Sequence, residues 1–190
     1  TFDTSGCTAP AGPVCGDGSV NQPSEQCDND IGSPPLSGDG CSSSCLIESG
    51  WSCTGTQSVC SQTPMPDLTL SVTSATQSAN RKSITINFRI SNIGTANAGS
   101  FTWSVSDSTA TDSPRTGTIA SLNYQTPNNF VDRSTTLNYA SSTDIINPTI
   151  FVDSASPQQV VESNENNNQI ISHIDCTSAN SANNFACIIS

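Results

Sequence analysis

From residue 68 onward the chain alternates between apolar and polar positions. Leu68, Leu70 and Val72 are separated by Thr69 and Ser71, and Ile84, Ile86, Phe88 and Ile90 by Thr85, Asn87 and Arg89. Successive side chains of a strand point to opposite faces, so a period of two marks strands with one buried face. Asn92-Ile93-Gly94 and Ala98-Gly99 read as a turn, after which Phe101, Trp103 and Val105 resume the alternation. Weaker strands are expected at 116–122 and 133–139, and stronger ones at 146–153 and 169–175. Seven short strands with no helical periodicity predict two packed antiparallel sheets over 67–175.

The pattern is absent before residue 61. Between Cys15 and Cys60 the larger apolar side chains are Val20, Ile31, Leu36, Leu46, Ile47, Trp51 and Val59. These are too few to offset the entropy of ordering the segment, at about 1.5 kcal/mol per residue. Six of the nine cysteines, Cys15, Cys27, Cys41, Cys45, Cys53 and Cys60, lie there, and disulfides must supply the difference. Cys53 and Cys60 flank a short Gly-containing loop and are expected to pair; the other four then form two bridges whose connectivity stays open. The fold class predicted is all-β, a small disulfide-stapled module over 15–60 followed by a seven-stranded Ig-like sandwich. An N-terminal arm at 1–14, a Pro-stiffened connector at 61–66 and a C-terminal extension at 176–190 complete the organisation, the connector holding the domains in a fairly fixed orientation. Cys176 and Cys187 in the extension could close a hairpin; with Cys7 they make three, so one thiol is left over for a free state or another protein.

Charge narrows the partners. The net charge is −11 although 11% of residues are charged, so Ser, Thr and Asn supply much of the polarity. Arg81, Lys82, Arg89, Arg115 and Arg133 are the five basic residues, and no basic stripe tracks a phosphate backbone, which argues against nucleic acid. No apolar run reaches membrane-spanning length, which argues against membrane insertion, and no signal-like segment stands at Thr1, as in a mature fragment. Nine cysteines indicate an oxidising compartment, so the expected location is secreted, extracellular or cell-surface. Asn147-Pro148-Thr149 is excluded as an N-glycan acceptor by its proline, which leaves Ser/Thr-linked glycans.

The acids of the stapled module supply candidate metal chemistry. Asp17, Glu25, Asp28, Asp30 and Asp39, with Asn29, are hard oxygen donors brought near one another by the cysteines, and a structural calcium could use them. No cofactor is required. The spacing from Asp17 to Asp28 fails as an EF-hand, because Gln22 stands where the turn glycine belongs. Turn capping, in which Asp and Asn bond nearby backbone, is the favoured reading of these acids. Zinc through Cys41 and Cys45 is disfavoured because the module has no histidine. In the second domain Trp103 reads as a core aromatic before an exposed sugar platform, and Glu162, Glu165 and the neighbouring asparagines as a solvated hairpin tip before a cation site. The single His173, beside Asp175 on a strand, lacks a nucleophile placed by any motif, so no enzyme is expected; an isopeptide bond through Lys82, the one lysine, is disfavoured.

Two stretches resemble known families. Cys-Gly-Asp-Gly at 15–18, Glu-Gln-Cys-Asp at 25–28, Gly-Asp-Gly-Cys at 38–41 and Glu-Ser-Gly-Trp-Ser-Cys at 48–53 follow the order of a secreted bacterial and protist cysteine-rich repeat, known only as a domain of unknown function. That resemblance covers 14–60, departs in an insert around 31–36, and implies an extracellular disulfide-bonded module without chemistry. Pro66-Asp67-Leu68, the turn Ser91-Asn92-Ile93-Gly94-Thr95-Ala96 and the hairpin Val161-Glu162-Ser163-Asn164-Glu165-Asn166-Asn167 resemble the bacterial cell-adhesion-related Ig-like domain, CARDB, over 66–175. This resemblance implies an Ig-like sandwich without the antibody inter-sheet disulfide.

The function expected is that of a non-enzymatic extracellular structural protein, a repeating subunit of a surface fibril or stalk that self-associates into a polymer through its terminal arms. The apolar end, with Phe185, Ile188 and Ile189, is the candidate assembly element, adding as a strand to the next subunit's sheet edge. The alternative is a monomeric adhesive or carbohydrate-binding module of a larger surface protein.

Overall fold

The computed structural model describes residues 15–29, 37–155, 157–179 and 185–190; Cys7, Asp30, Ile31 and Leu36 therefore lie outside the described residues. The chain forms two compact units, Thr1–Pro64 and Met65–Ser190. Residues on both sides of this boundary are hydrogen-bonded within their own unit. Thr63 N–H donates to Gly50 O at 2.8 Å, while Met65 O accepts the N–H groups of Thr95 and Ala96 at 2.8 and 3.2 Å.

In the first unit two short strands, β1 (Trp51–Thr54) and β2 (Val59–Gln62), pair antiparallel with Cys53 opposite Cys60. That pair is a disulfide. Cys15 is bonded to Cys45 and Cys27 to Cys41. The buried hydrophobic cluster of the unit is Cys27, Cys41 and Cys45, so sulfur occupies the place of an aliphatic core. Gly40 makes this closure sterically feasible: its φ is +109°, and a Cβ there would lie 2.6 Å from both Cys60 Cβ and the Trp51 ring.

The second unit is an antiparallel all-β sandwich. β3 (Leu68–Gln77), β4 (Ser83–Asn92) and β7 (Phe130–Asn138) form one sheet in the order β3-β4-β7. β5 (Phe101–Ser106), β6 (Arg115–Ile119), β9 (Thr149–Val152) and β10 (Gln169–Ile171) form another in the order β10-β9-β5-β6. The alternation of β4 buries Ile84, Ile86, Phe88 and Ile90, and that of β5 buries Phe101, Trp103 and Val105. Phe88 and Trp103 meet edge to face with ring centroids 5.2 Å apart, joining the two sheets. The Trp103 indole crosses its neighbouring strand at Gly117, where an added Cβ would lie 2.5 Å from the ring. β3 outruns the 68–72 pattern by way of a register shift between Val72 and Ser74, which changes the buried phase to Ala75 and Gln77.

Two of the expected strands are each divided. The 146–153 segment breaks at Asn147-Pro148 into β8 (Ile145–Ile146) and β9, because proline has no N–H to give a ladder. The 169–175 segment divides into β10 and β11 (Ile174–Asp175). The C-terminal residues add β12 (Ile188–Ile189), which pairs with β11 in a third sheet of order β12-β11-β8.

Residues 176–179 and 185–190 are therefore part of the second unit's packing, where the sequence pattern predicts an extension beyond the sandwich. Ile189 sits opposite Ile174, and Gln77 N–H donates to Phe185 O while Cys187 N–H donates to Ala75 O. The segment is thus tied to β3 by one set of backbone bonds and to β11 by another. Cys176, 1% exposed, is bonded to Cys187 and fixes it there. Of the assembly residues expected in a free arm, Ile189 packs against the core, while Ile188 remains exposed and Phe185 lies at the surface. The physical reason is that pairing this backbone and burying this side chain within the same chain needs no partner and is made permanent by the disulfide.

Candidate cation sites and the closing strand

The first unit spends most of its acids on its own backbone. Asp28 Oδ2 accepts the N–H groups of Gly16 and Asp17 at 2.9 and 3.1 Å, holding the Cys-Gly-Asp-Gly turn. Glu48 accepts the N–H of Gly38 and of Gly40, and Gly40 O accepts Glu48 N–H, so one glutamate organises the Gly-Asp-Gly turn beneath Trp51. Gln26 Oε1 accepts Ile47 N–H at 3.2 Å. Asp39 accepts the Cys41 N–H, and the Asn29 side chain above all holds its carboxyl below the usual carboxylate range. Asp17 accepts from Asn21 Nδ2 at 2.9 Å. Of these, Asp39 caps its own turn locally, while Asp28 and Glu48 hold turns 8 to 12 residues away.

Among the five acids proposed as calcium ligands, the structure brings two together. Glu25 and Asp28 are 7% and 1% exposed, and one oxygen of each lies within 4.8 Å of the other and of Cys45 Sγ. Cys45 Sγ is bonded to Cys15 and offers no thiolate. Glu25 Oε2 accepts Asn21 N–H and its Oε1 accepts Gln22 Nε2, at 3.0 and 2.7 Å. Asp28 Oδ1 is buried with no hydrogen-bond partner among the described residues. Asp17 and Asp39 do not join this group, and Asp30 lies outside the described residues.

A second acidic knot ties the loop before β10 to the start of β3. Glu162, 5% exposed, accepts Leu68 N–H through Oε2 and Asn168 Nδ2 through Oε1, the latter at 3.0 Å. Burial, more than any neighbour, pushes the Glu162 carboxyl up to about 7, with the charges of Glu165 and Asp153 adding to it. Asp153 accepts the N–H groups of Gln159 and Val160, and Asp67 accepts Asn167 Nδ2 at 2.7 Å. The stretch read from sequence as a solvated hairpin tip is therefore half interior: Glu162 and Asn168 are buried, Glu165 is exposed.

Asn92 is a functional position of the fold that the alternation alone does not reveal. It occupies the next buried place after Ile90, fully enclosed, and satisfies its amide completely. Its Oδ1 accepts the N–H of Asp67 and Gly94, and its Nδ2 donates to Ala96 O and Leu122 O. The Ser91–Ala96 turn and the opening of β3 are thereby held by one side chain. Trp103 is buried in the core, as its place in the alternation suggests. His173 Nδ1 lies 2.9 Å from Asn147 Oδ1 at the open end of the β11–β12 pairing.

The sandwich, its Pro66–Leu68 opening and the knot around Glu162 coincide with a family match. A family model, CARDB, matches residues 65–172, more than half of the chain. The chain belongs to the CARDB family. Two solved structures are similar to it, each at 22% identity with a TM-score of 0.43 over 58% of this chain. One is the crystal structure of a CARDB domain from Pyrococcus furiosus in complex with di-metal ions, of which 88% is covered. The other is the solution structure of residues 272–376 of a candidate cell-surface protein from Methanosarcina acetivorans, covered over 91%. No curated protein matches the chain. The CARDB match ends before β11, so β12 and the Cys176–Cys187 bridge that closes the sandwich lie beyond it. Four disulfides fit an oxidising compartment, and among the described residues no helix is long and apolar enough to cross a membrane.

Proposed function

We propose that this chain is a non-enzymatic structural subunit of a secreted, surface-associated fibril or stalk, built to keep its shape rather than to act on a substrate. The observation behind this reading is covalent closure in both units: three disulfides replace the core of the first, and a fourth tethers the last strand of the second. Trp103, the aromatic considered as a sugar platform, is buried in the core, which supports the structural reading at that position. Glycans on its abundant Ser and Thr would belong to the same surface role.

Self-association under this reading does not need the C-terminal strand, because β12 is already paired with β11 and the residue before it is tethered by Cys176–Cys187. Contact between copies falls instead to the N-terminal arm and to the remaining sheet edges. The test is electron microscopy of native material together with its mass under non-reducing conditions. Regular polymers of the full chain are expected, and the Cys176→Ser/Cys187→Ser pair should leave them intact. A monomer at every concentration, in material with its native mass, would overturn the reading in favour of a module carried by a larger surface protein.

A further inference from the structure

The first unit contains no lysine, arginine or histidine: all five basic residues and the one histidine lie between 81 and 173. It nevertheless buries two carboxyl groups side by side, Glu25 and Asp28, with oxygens within 4.8 Å. Three of the four oxygens accept hydrogen bonds, from Asn21 and Gln22 at Glu25 and from Gly16 and Asp17 at Asp28 Oδ2. The fourth, Asp28 Oδ1, is enclosed and has no donor among the described residues. A buried carboxylate oxygen without a partner costs more than an ordinary unsatisfied polar atom, and a second carboxylate beside it adds repulsion that no side chain of the unit can neutralise.

We propose that Glu25 and Asp28 form a binding site for a hard divalent cation of the calcium class. Calcium–oxygen distances of about 2.4 Å allow one ion to touch two oxygens separated by up to about 4.8 Å, and water completes the six to eight ligands that calcium takes. Soft-metal chemistry is closed to the site, because Cys45 Sγ is held in a disulfide. The ion would do two things for the fold. It satisfies Asp28 Oδ1, and it joins the residues on either side of Cys27 to the turn at Gly16 that Asp28 already holds, adding an ionic staple where the disulfides leave a gap.

The experiment uses the full oxidised chain, stripped with a chelator and titrated with calcium alone in a calorimeter, with magnesium in parallel. One calcium per Glu25–Asp28 pair is expected, at an affinity of roughly 0.1–1 mM, the range of extracellular modules. Glu25→Gln and Asp28→Asn should each weaken it at least tenfold, while Asp39→Asn and Glu162→Gln leave it unchanged. Non-reducing peptide mapping shows whether each variant retains Cys15–Cys45 and Cys27–Cys41; should Asp28→Asn scramble them, Glu25→Gln decides. Absence of binding by the unaltered chain up to about 10 mM calcium overturns the proposal. So does binding that survives Glu25→Gln, or that is lost on Glu162→Gln instead.

Discussion

Among the described residues, the most enclosed apolar side chains of Met65–Ser190 include Phe88, Phe101, Leu68 and a run of isoleucines; in Thr1–Pro64 they are Cys27, Cys41 and Cys45. The sandwich has enough apolar area to be held by burial, and its disulfide is an addition at the end. The stapled unit has almost none, so its order comes from covalent loops closed on a scaffold of carboxylate-to-N–H bonds. The difference extends to charge. Some sandwich acids find cations, as in Arg89–Asp132 and Arg115–Asp112, whereas Asp28 and Glu48 of the first unit bond backbone N–H groups in a unit whose sequence has no basic side chain. A module without a core therefore uses its acids as architecture, and the same residue type means different things on the two sides of Pro64.

The strongest way to break this comparison is reduction. Each native bridge of a small secreted domain contributes about 2–5 kcal/mol, so a strong reductant should unfold the first unit outright. Hydrogen exchange read by mass spectrometry would then show protection lost over 15–29 and 37–62 but retained in β4 and β5. Protection that persists over 37–62 would mean that the first unit has a core of another kind.

Next in size is Phe88→Ala, which deletes the ring packed against Trp103 at the centre of the sandwich. A cost of about 3–5 kcal/mol is expected for the second unit, with the three disulfides of the first unchanged on peptide mapping. Differential scanning calorimetry measures the loss; one below about 1 kcal/mol would show that the sheets do not depend on that layer.

How much of this was legible depends on the range of the interactions. β4 could be read directly as far as Ile90, because alternation is local and four successive core places, Ile84 to Ile90, follow it without interruption; Asn92, the next buried place, reads from the sequence as part of a turn. β12 could not: two residues have no periodicity, and their strand character exists only through Ile174 and Asp175. The acids illustrate the same limit. Composition nominated five, but which two share an enclosed site is set by Cys15–Cys45 and Cys27–Cys41, a connectivity that spacing alone leaves open. Glu162 looked exposed in a run of Asn, Ser and Glu, and only the return of that loop to Leu68 buries it.

Glu162 sharpens the comparison further, because it is a buried acid with no cation in the unit that does possess them. Its folded value of about 7 lies above the ordinary 4.5, so the folded chain holds a proton between these values that the unfolded chain has released. Stability of the sandwich therefore falls as pH rises from about 4.5 to 7 and levels off above, by up to roughly 3 kcal/mol. Glu162→Gln, which cannot ionise, should flatten this dependence in thermal melts from pH 5 to 8. A wild-type profile that rises across the window would show that the Leu68 and Asn168 hydrogen bonds outweigh burial.

The smallest effect is expected where a side-chain interaction looks most complete. Arg89 bonds Asp132 through two nitrogens and lies 3.7 Å over the Phe130 ring, and mutual hydrogen bonding raises the one and lowers the other in pKa. Both charges are solvated, however, so the attraction is screened by water and salt, and ordering two mobile side chains opposes it. Asp132→Asn should shift the unfolding midpoint by less than a thermal melt resolves, and added salt should leave that result unchanged. A loss comparable to that of Phe88→Ala would mean that the sandwich, like the stapled unit, is held by its polar contacts. The contrast between a unit held by burial and one held by covalent and polar staples would then fail at its simplest point.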